Sequence, residues 1–172
     1  MDRLDKFSAF AITGLVLWAL VLVVVQSGRI EERREVPNQP AVLRVDPALE
    51  KKFALAKTLL SDNNLGQAEK LLTELTAAYP FESVPYLLHG DLHLYRQDPV
   101  AAMLEYRKAV DMNPDFLDKK AEQFQGKKIK KTVEEARAAI ESGLTAKPGD
   151  PALIEARKVY YYMLRKIAGS CG

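Results

Sequence analysis

Apolar residues fall along this chain in two different patterns. From Phe7 to Val25 they run together, FSAFAITGLVLWALVLVVV, with no charge in 19 positions. From Leu49 onward they recur at steps of three and four, the spacing that gathers them on one side of an α-helix. Leu49, Phe53, Ala56, Leu59 and Leu60 make one such face, and Ala68, Leu71, Leu72 and Leu75 make the next. The pattern predicts an all-α domain of short helices behind a separate N-terminal segment.

The expected helix starts carry capping chemistry. Asp46-Pro47, Asp98-Pro99 and Asp150-Pro151 each pair an N-cap acceptor with a proline at the first helical position, where the missing N–H costs nothing. Asn64 with Gln67 reads as a further cap, and Thr132-Val133-Glu134-Glu135 as a capping box. Between Gly28 and Val45 the stretch GRIEERREVPNQPAVLRV mixes Arg with Glu, and Pro37 and Pro40 discourage a helix. It reads as a linker.

The uncharged run suits a membrane. A helix of that length spans roughly 28 Å at about 1.5 Å per residue, enough for a bilayer core. A cleaved secretory signal would have a shorter apolar core and a small-x-small exit, which Val25-Gln26-Ser27 fits poorly. Residues 1–27 are therefore expected to be an uncleaved transmembrane anchor and 28–45 its linker. Arg3 and Lys6 before the span nearly balance Arg29, Arg33 and Arg34 after it, so the charge rule is close to a tie. The very short basic tail favours a cytoplasmic N-terminus and an extracytoplasmic domain.

The helical part also repeats. Within 83–114, with Ser83 as position 1, Tyr86 sits at 4, Gly90 at 8, Ala102 at 20, Tyr106 at 24, Ala109 at 27 and Pro114 at 32. Ala68, Ala102 and Ala136 recur at intervals of 34, and so do Pro80, Pro114 and Pro148. This resembles the tetratricopeptide repeat (TPR), a 34-residue helical hairpin in which small residues let helices approach and an aromatic fills the space between hairpins. The resemblance implies a short right-handed solenoid of three hairpins, at 49–82, 83–116 and 117–150, with a capping helix at 151–168. The third repeat departs from the pattern. Its first helix, expected around Asp115–Lys131, has Phe124 where a small residue belongs, and Gly126 weakens it.

In TPR proteins the concave face is lined from positions 2, 5, 9, 12 and 13. Carried over, these give Phe53, Lys57 and Leu60 in the first repeat and Val84, Leu87, Asp91, Leu94 and Tyr95 in the second. The third adds Ala121, Gln125 and Lys128. That floor suits an extended or helical peptide. The carboxylate clamp by which some TPR proteins hold acidic chaperone tails is absent, because Phe53, Lys57, Leu88, Asp118 and Glu122 stand at its positions. By resemblance the protein is a membrane-anchored adaptor that binds a protein or peptide and aids assembly or stabilisation of a membrane or envelope complex. Anchored TPR proteins of bacterial envelopes, including some aiding cytochrome c maturation, are similar in layout. A single-pass protein of a bacterial inner membrane is the expectation, and a permanent accessory subunit of a large complex is the close alternative.

Composition narrows the remaining chemistry. The 172 residues carry a formal net charge of +2, too small an excess for a nucleic-acid footprint. Cys171 is the one cysteine, which excludes an internal disulfide and a thiolate metal cluster. No phosphate loop, GxSxG or HExxH occurs, so no enzyme and no cofactor is expected. His89 and His93, four apart on one helical face, have the spacing for a metal or haem. A metal- or haem-handling protein is thus a second alternative, though as repeat positions 7 and 11 the two histidines also fit half-buried packing. Lys119, Lys120, Lys127, Lys128, Lys130 and Lys131, with only Glu122 among them, form either a solvated surface or a contact for anionic lipid or an acidic protein.

Overall fold

The computed structural model describes residues 46–169. The expected membrane span, the linker and Cys171 lie outside the described residues. Among the described residues the fold is all-α, with six α-helices, no strand, and no helix long and apolar enough to cross a membrane. Helix α1 is Pro47–Ser61, α2 Leu65–Ala78, α3 Ser83–Tyr95 and α4 Pro99–Met112. A 3₁₀ turn, Pro114–Phe116, is followed by α5, Gly126–Ala146, and α6, Pro151–Gly169. Each helix packs on the next, with further contact of α1 to α3 and of α4 to α6, the near-neighbour packing of a helical solenoid.

Local chemistry sets the starts. The Asp46 carboxylate accepts from the Ala48 N–H at 3.0 Å, and that of Asp98 from Ala101 at 2.9 Å. Asp150 accepts from Ala152 and Leu153. Asn64 occupies its N-cap position without a side-chain hydrogen bond, so the Asn64–Gln67 cap is not formed. The first two hairpins turn identically. Asn63 and Gln97 both adopt left-handed backbone, with φ of 57° and 60°. Asn64 N–H donates to the Leu59 carbonyl at 2.8 Å, and Asp98 N–H to the His93 carbonyl at 2.9 Å. Every residue of one turn is 34 from its counterpart in the other.

The spacing of small residues is expressed in the packing. Ala68, Ala102 and Ala136 are completely buried, while Pro80, Pro114 and Pro148 each stand two residues past a helix end. The core has two parts that meet at α3. Leu88 and Leu92 pack with Phe53, Leu72 and Leu75 toward α1 and α2. Leu87 joins Tyr106, Ile129, Ile140 and Met163 on the other side. Of the three tyrosines of α6, Tyr160 is buried, Tyr161 exposed and Tyr162 half-buried. Tyr162 donates to Asp111 and lies between Arg107 and Lys166, each 5.4 Å from its ring, which fixes α6 to α4.

The third repeat is where structure and expectation part. No α-helix begins near Asp115, only the 3₁₀ turn Pro114–Phe116. Residues 113–125 instead form a loop held by its own polar groups: Asn113 accepts from Asp115 N–H, Asp118 from Lys120 N–H, and Gln125 N–H donates to the Phe116 carbonyl at 2.8 Å. Such side-chain-to-backbone bonds compete directly with helix formation. Phe116 and Leu117 are buried, but no apolar stripe follows them. The stripe resumes as Ile129, Thr132, Val133, Ala136 and Ile140, all buried on α5. Thr132 is therefore mid-helix and is no cap, its hydroxyl donating to the Lys128 carbonyl at 3.0 Å. Glu135 pairs with Lys131 instead of capping. Helix α5 carries Ala136 in register with Ala68 of α2 and Ala102 of α4, so it stands where the second arm of the third repeat is expected. The loop at 113–125 takes the place of the first arm, and α6 packs on α5 and α4.

Candidate ligand-binding groove

Two helices present the same face to one concavity. Glu50, Phe53, Ala54 and Lys57 of α1 line it, and so do Val84, Leu87, Leu88 and Asp91 of α3. Steps of three and four place each set on a single helical face, and each member of one set is 34 from its counterpart in the other. Phe116 from the 3₁₀ turn, Glu122, Gln123 and Gln125 from the loop, and Lys128 from α5 complete a groove of about 640 Å³.

Seven of the residues singled out from the repeat pattern meet here: Phe53, Lys57, Val84, Leu87, Asp91, Gln125 and Lys128. The other four do not line it. Leu60 is buried in the core beneath α2, because position 12 of α1 points between the helices of its own hairpin. Leu94 is half-buried against the second core, Tyr95 is exposed near the end of α3, and Ala121 sits in the loop that replaces the expected helix. Glu50 was legible, since it occupies position 2 of the first repeat. Phe116 and Gln123 were not, because they reach the groove only through the loop.

The floor is apolar and its far wall is tied by a polar cluster. Asp91 accepts from the Tyr106 hydroxyl at 2.5 Å and from the Lys128 ammonium at 2.6 Å. Lys128 also lies 5.6 Å from the Tyr106 ring, a favourable cation–π placement. Burial, then the Asp91 charge, push the Tyr106 phenol far above its ordinary range, so it is a permanent donor to that carboxylate. Gly90 makes this arrangement possible. A Cβ there would overlap the Tyr106 ring, and the missing side chain lets the ring approach α3 closely.

His89 and His93 lie outside the groove lining and are half-buried. Burial holds the His89 imidazole below its ordinary value of 6.5; Glu105 and the Leu72 backbone oppose this, and His93 and Lys108 add to it. Among the described residues no three His, Cys, Asp or Glu side chains are grouped to hold a metal ion. A lowered pKa means the unfolded chain takes up the proton first, so acid favours unfolding. Stability linked to His89 is complete above pH 6.5, declines as the pH falls below it, and levels once the folded protein is protonated. Glu69, held below 4.5 by Arg96, titrates outside this window. The thermal midpoint is therefore expected to fall between about pH 7.5 and 5.5, with a shallower fall in His89→Gln. Equal slopes in both proteins would remove His89 as the cause.

No family model, curated protein or solved structure matches this chain at a significant level. The functional reading therefore rests on the repeat geometry and the groove alone.

Proposed function

We propose that this chain is a TPR-type adaptor that docks a protein or peptide segment in the groove between α1, α3 and α5. Held at a membrane by its apolar run, 7–25, it aids assembly or stabilisation of a membrane complex. The observation that carries this reading is the 34-residue register of the two groove walls, 50/53/54/57 against 84/87/88/91. An apolar floor of Phe53, Val84 and Leu87 with polar groups at its margin is the usual make-up of a peptide-binding cleft. No catalytic group needs to be invoked.

The test is site-specific photo-crosslinking in cells from the full-length chain. A photoreactive side chain at Val84 or Lys57, in the groove, is expected to yield one discrete adduct. The same group at Glu74, exposed on α2, is expected to yield none. Val84→Glu places a charge on the apolar floor and should abolish the Lys57 adduct while far-UV circular dichroism stays unchanged. Equal adducts from both faces would end the groove reading.

A further inference from the structure

We infer that the groove continues onto a lysine shelf, and that the two together fit an extended polypeptide whose apolar residues are followed by acidic ones. This inference rests on the groove reading and adds the chemistry of its occupant. Continuity is the first observation. Gln125 and Lys128, which close the groove, also line a neighbouring cavity of about 550 Å³ with Lys119, Phe124 and Lys127.

Charge is the second. Lys128 is paired with Asp91 and Lys131 with Glu135, but Lys119, Lys120, Lys127 and Lys130 have no carboxylate partner among the described residues. Lys119 and Lys127 line that cavity beside Lys128 without an ion pair of their own, and an acidic ligand would neutralise them. The start of α5 adds to the field, since Gln125 gives its first turn no side-chain cap and the open N–H groups carry partial positive charge. Within the groove the balance is different, because Glu50, Asp91 and Glu122 stand there against Lys57 and Lys128. Ligand carboxylates are therefore directed to the shelf, and ligand apolar groups to Val84 and the edges of Phe53 and Leu87.

Shape decides between a polypeptide and a bilayer. A flat anionic surface can meet exposed lysines, but it cannot follow them into the concavity that Lys128 and Gln125 share with α1 and α3. A polypeptide strand can. Its main chain also fits a cleft bounded by Gln123 and Gln125, whose amides both donate and accept.

A random-peptide display selection on the full-length chain in non-ionic detergent tests this, followed by affinity measurement with a labelled consensus peptide. Enriched sequences are expected to place acidic residues beside an apolar cluster. Reversing the exposed pair, Lys119→Glu with Lys127→Glu, should weaken the consensus peptide about tenfold, and so should raising salt to about 0.5 M. Val84→Glu should weaken it independently. Enrichment of apolar peptides indifferent to the lysine reversal would overturn the acidic half and leave the groove reading intact. If no peptide is enriched and vesicles containing phosphatidylserine bind in a lysine-dependent way, both the inference and the groove reading fall.

Discussion

Tyr106→Ala is expected to destabilise the domain by about 3–5 kcal/mol, the range for removing a large aromatic from a sealed core. The ring is completely buried, lies against Gly90, and belongs to the core that joins α3 to α4, α5 and α6. Its removal leaves a hole beside the backbone of α3 at Gly90, which has no side chain to refill it. The hydroxyl contributes separately. Tyr106→Phe keeps the ring and Asp91 keeps Lys128, so that change should cost only about 0.5–1.5 kcal/mol. Urea denaturation of the full chain and its two variants measures both. A cost below about 1 kcal/mol for the alanine variant would show that the ring is not the wedge between these helices.

The same wedge ties stability to the groove. Helices α3 and α5 make little backbone contact with each other, so the far wall needs a side-chain tether. Asp91 supplies it, receiving Lys128 from α5 and Tyr106 from α4 at a single carboxylate oxygen. The pair is only partly exposed, with side-chain exposures of 34% for Lys128 and 20% for Asp91, so solvent screens it less than a surface pair. A ligand docking there as proposed would meet a wall already held in place, with little ordering left to oppose binding.

How far the fold could be read from the residues depends on where local and tertiary signals agreed. In the first two hairpins they agreed except at Asn64, whose expected side-chain cap is not formed. The Asp46 and Asp98 caps, the three- and four-residue apolar steps, and the alanines and prolines at 34-residue spacing all indicated the same helices, and those helices formed. Five groove residues of α1 and α3 followed, Phe53, Lys57, Val84, Leu87 and Asp91, because a helical face is fixed by spacing once the helix is known. Leu60, Leu94 and Tyr95, expected from the later repeat positions, lie off that face. In the third repeat the signals conflicted. Ala136, Ile140 and Pro148 keep the period, which predicts a first helix around Asp115–Lys131 before them. The loop at 113–125 is set instead by polar bonds of Asn113 and Asp118, which carry no period. Thr132 illustrates the difficulty: the same Thr-x-x-Glu can be a cap or a buried stretch of helix, and only the apolar Ile129 one turn earlier separates the two.

Glu134→Pro distinguishes those two arrangements by their consequences for stability. If Thr132 were an N-cap, residue 134 would lie in the first turn, where the N–H has no intrahelical partner and proline is tolerated. In the structure α5 begins at Gly126, so residue 134 is two turns in and its N–H belongs to the i→i−4 ladder. Proline there removes that bond and drives its ring against the carbonyl of Lys130, at a cost of about 3 kcal/mol or more. Glu134 is exposed, so no packing is lost with the side chain and the effect reports the backbone alone. Glu134→Ala serves as the control and should be near neutral or slightly stabilising. The loss is expected to appear as a large drop in the denaturation midpoint together with reduced helicity. It should also weaken the groove, because a kink at 134 moves Lys128 away from Asp91. A proline variant as stable as the alanine control would mean that the helix starts at Thr132 after all, and that residues 126–131 are not part of it.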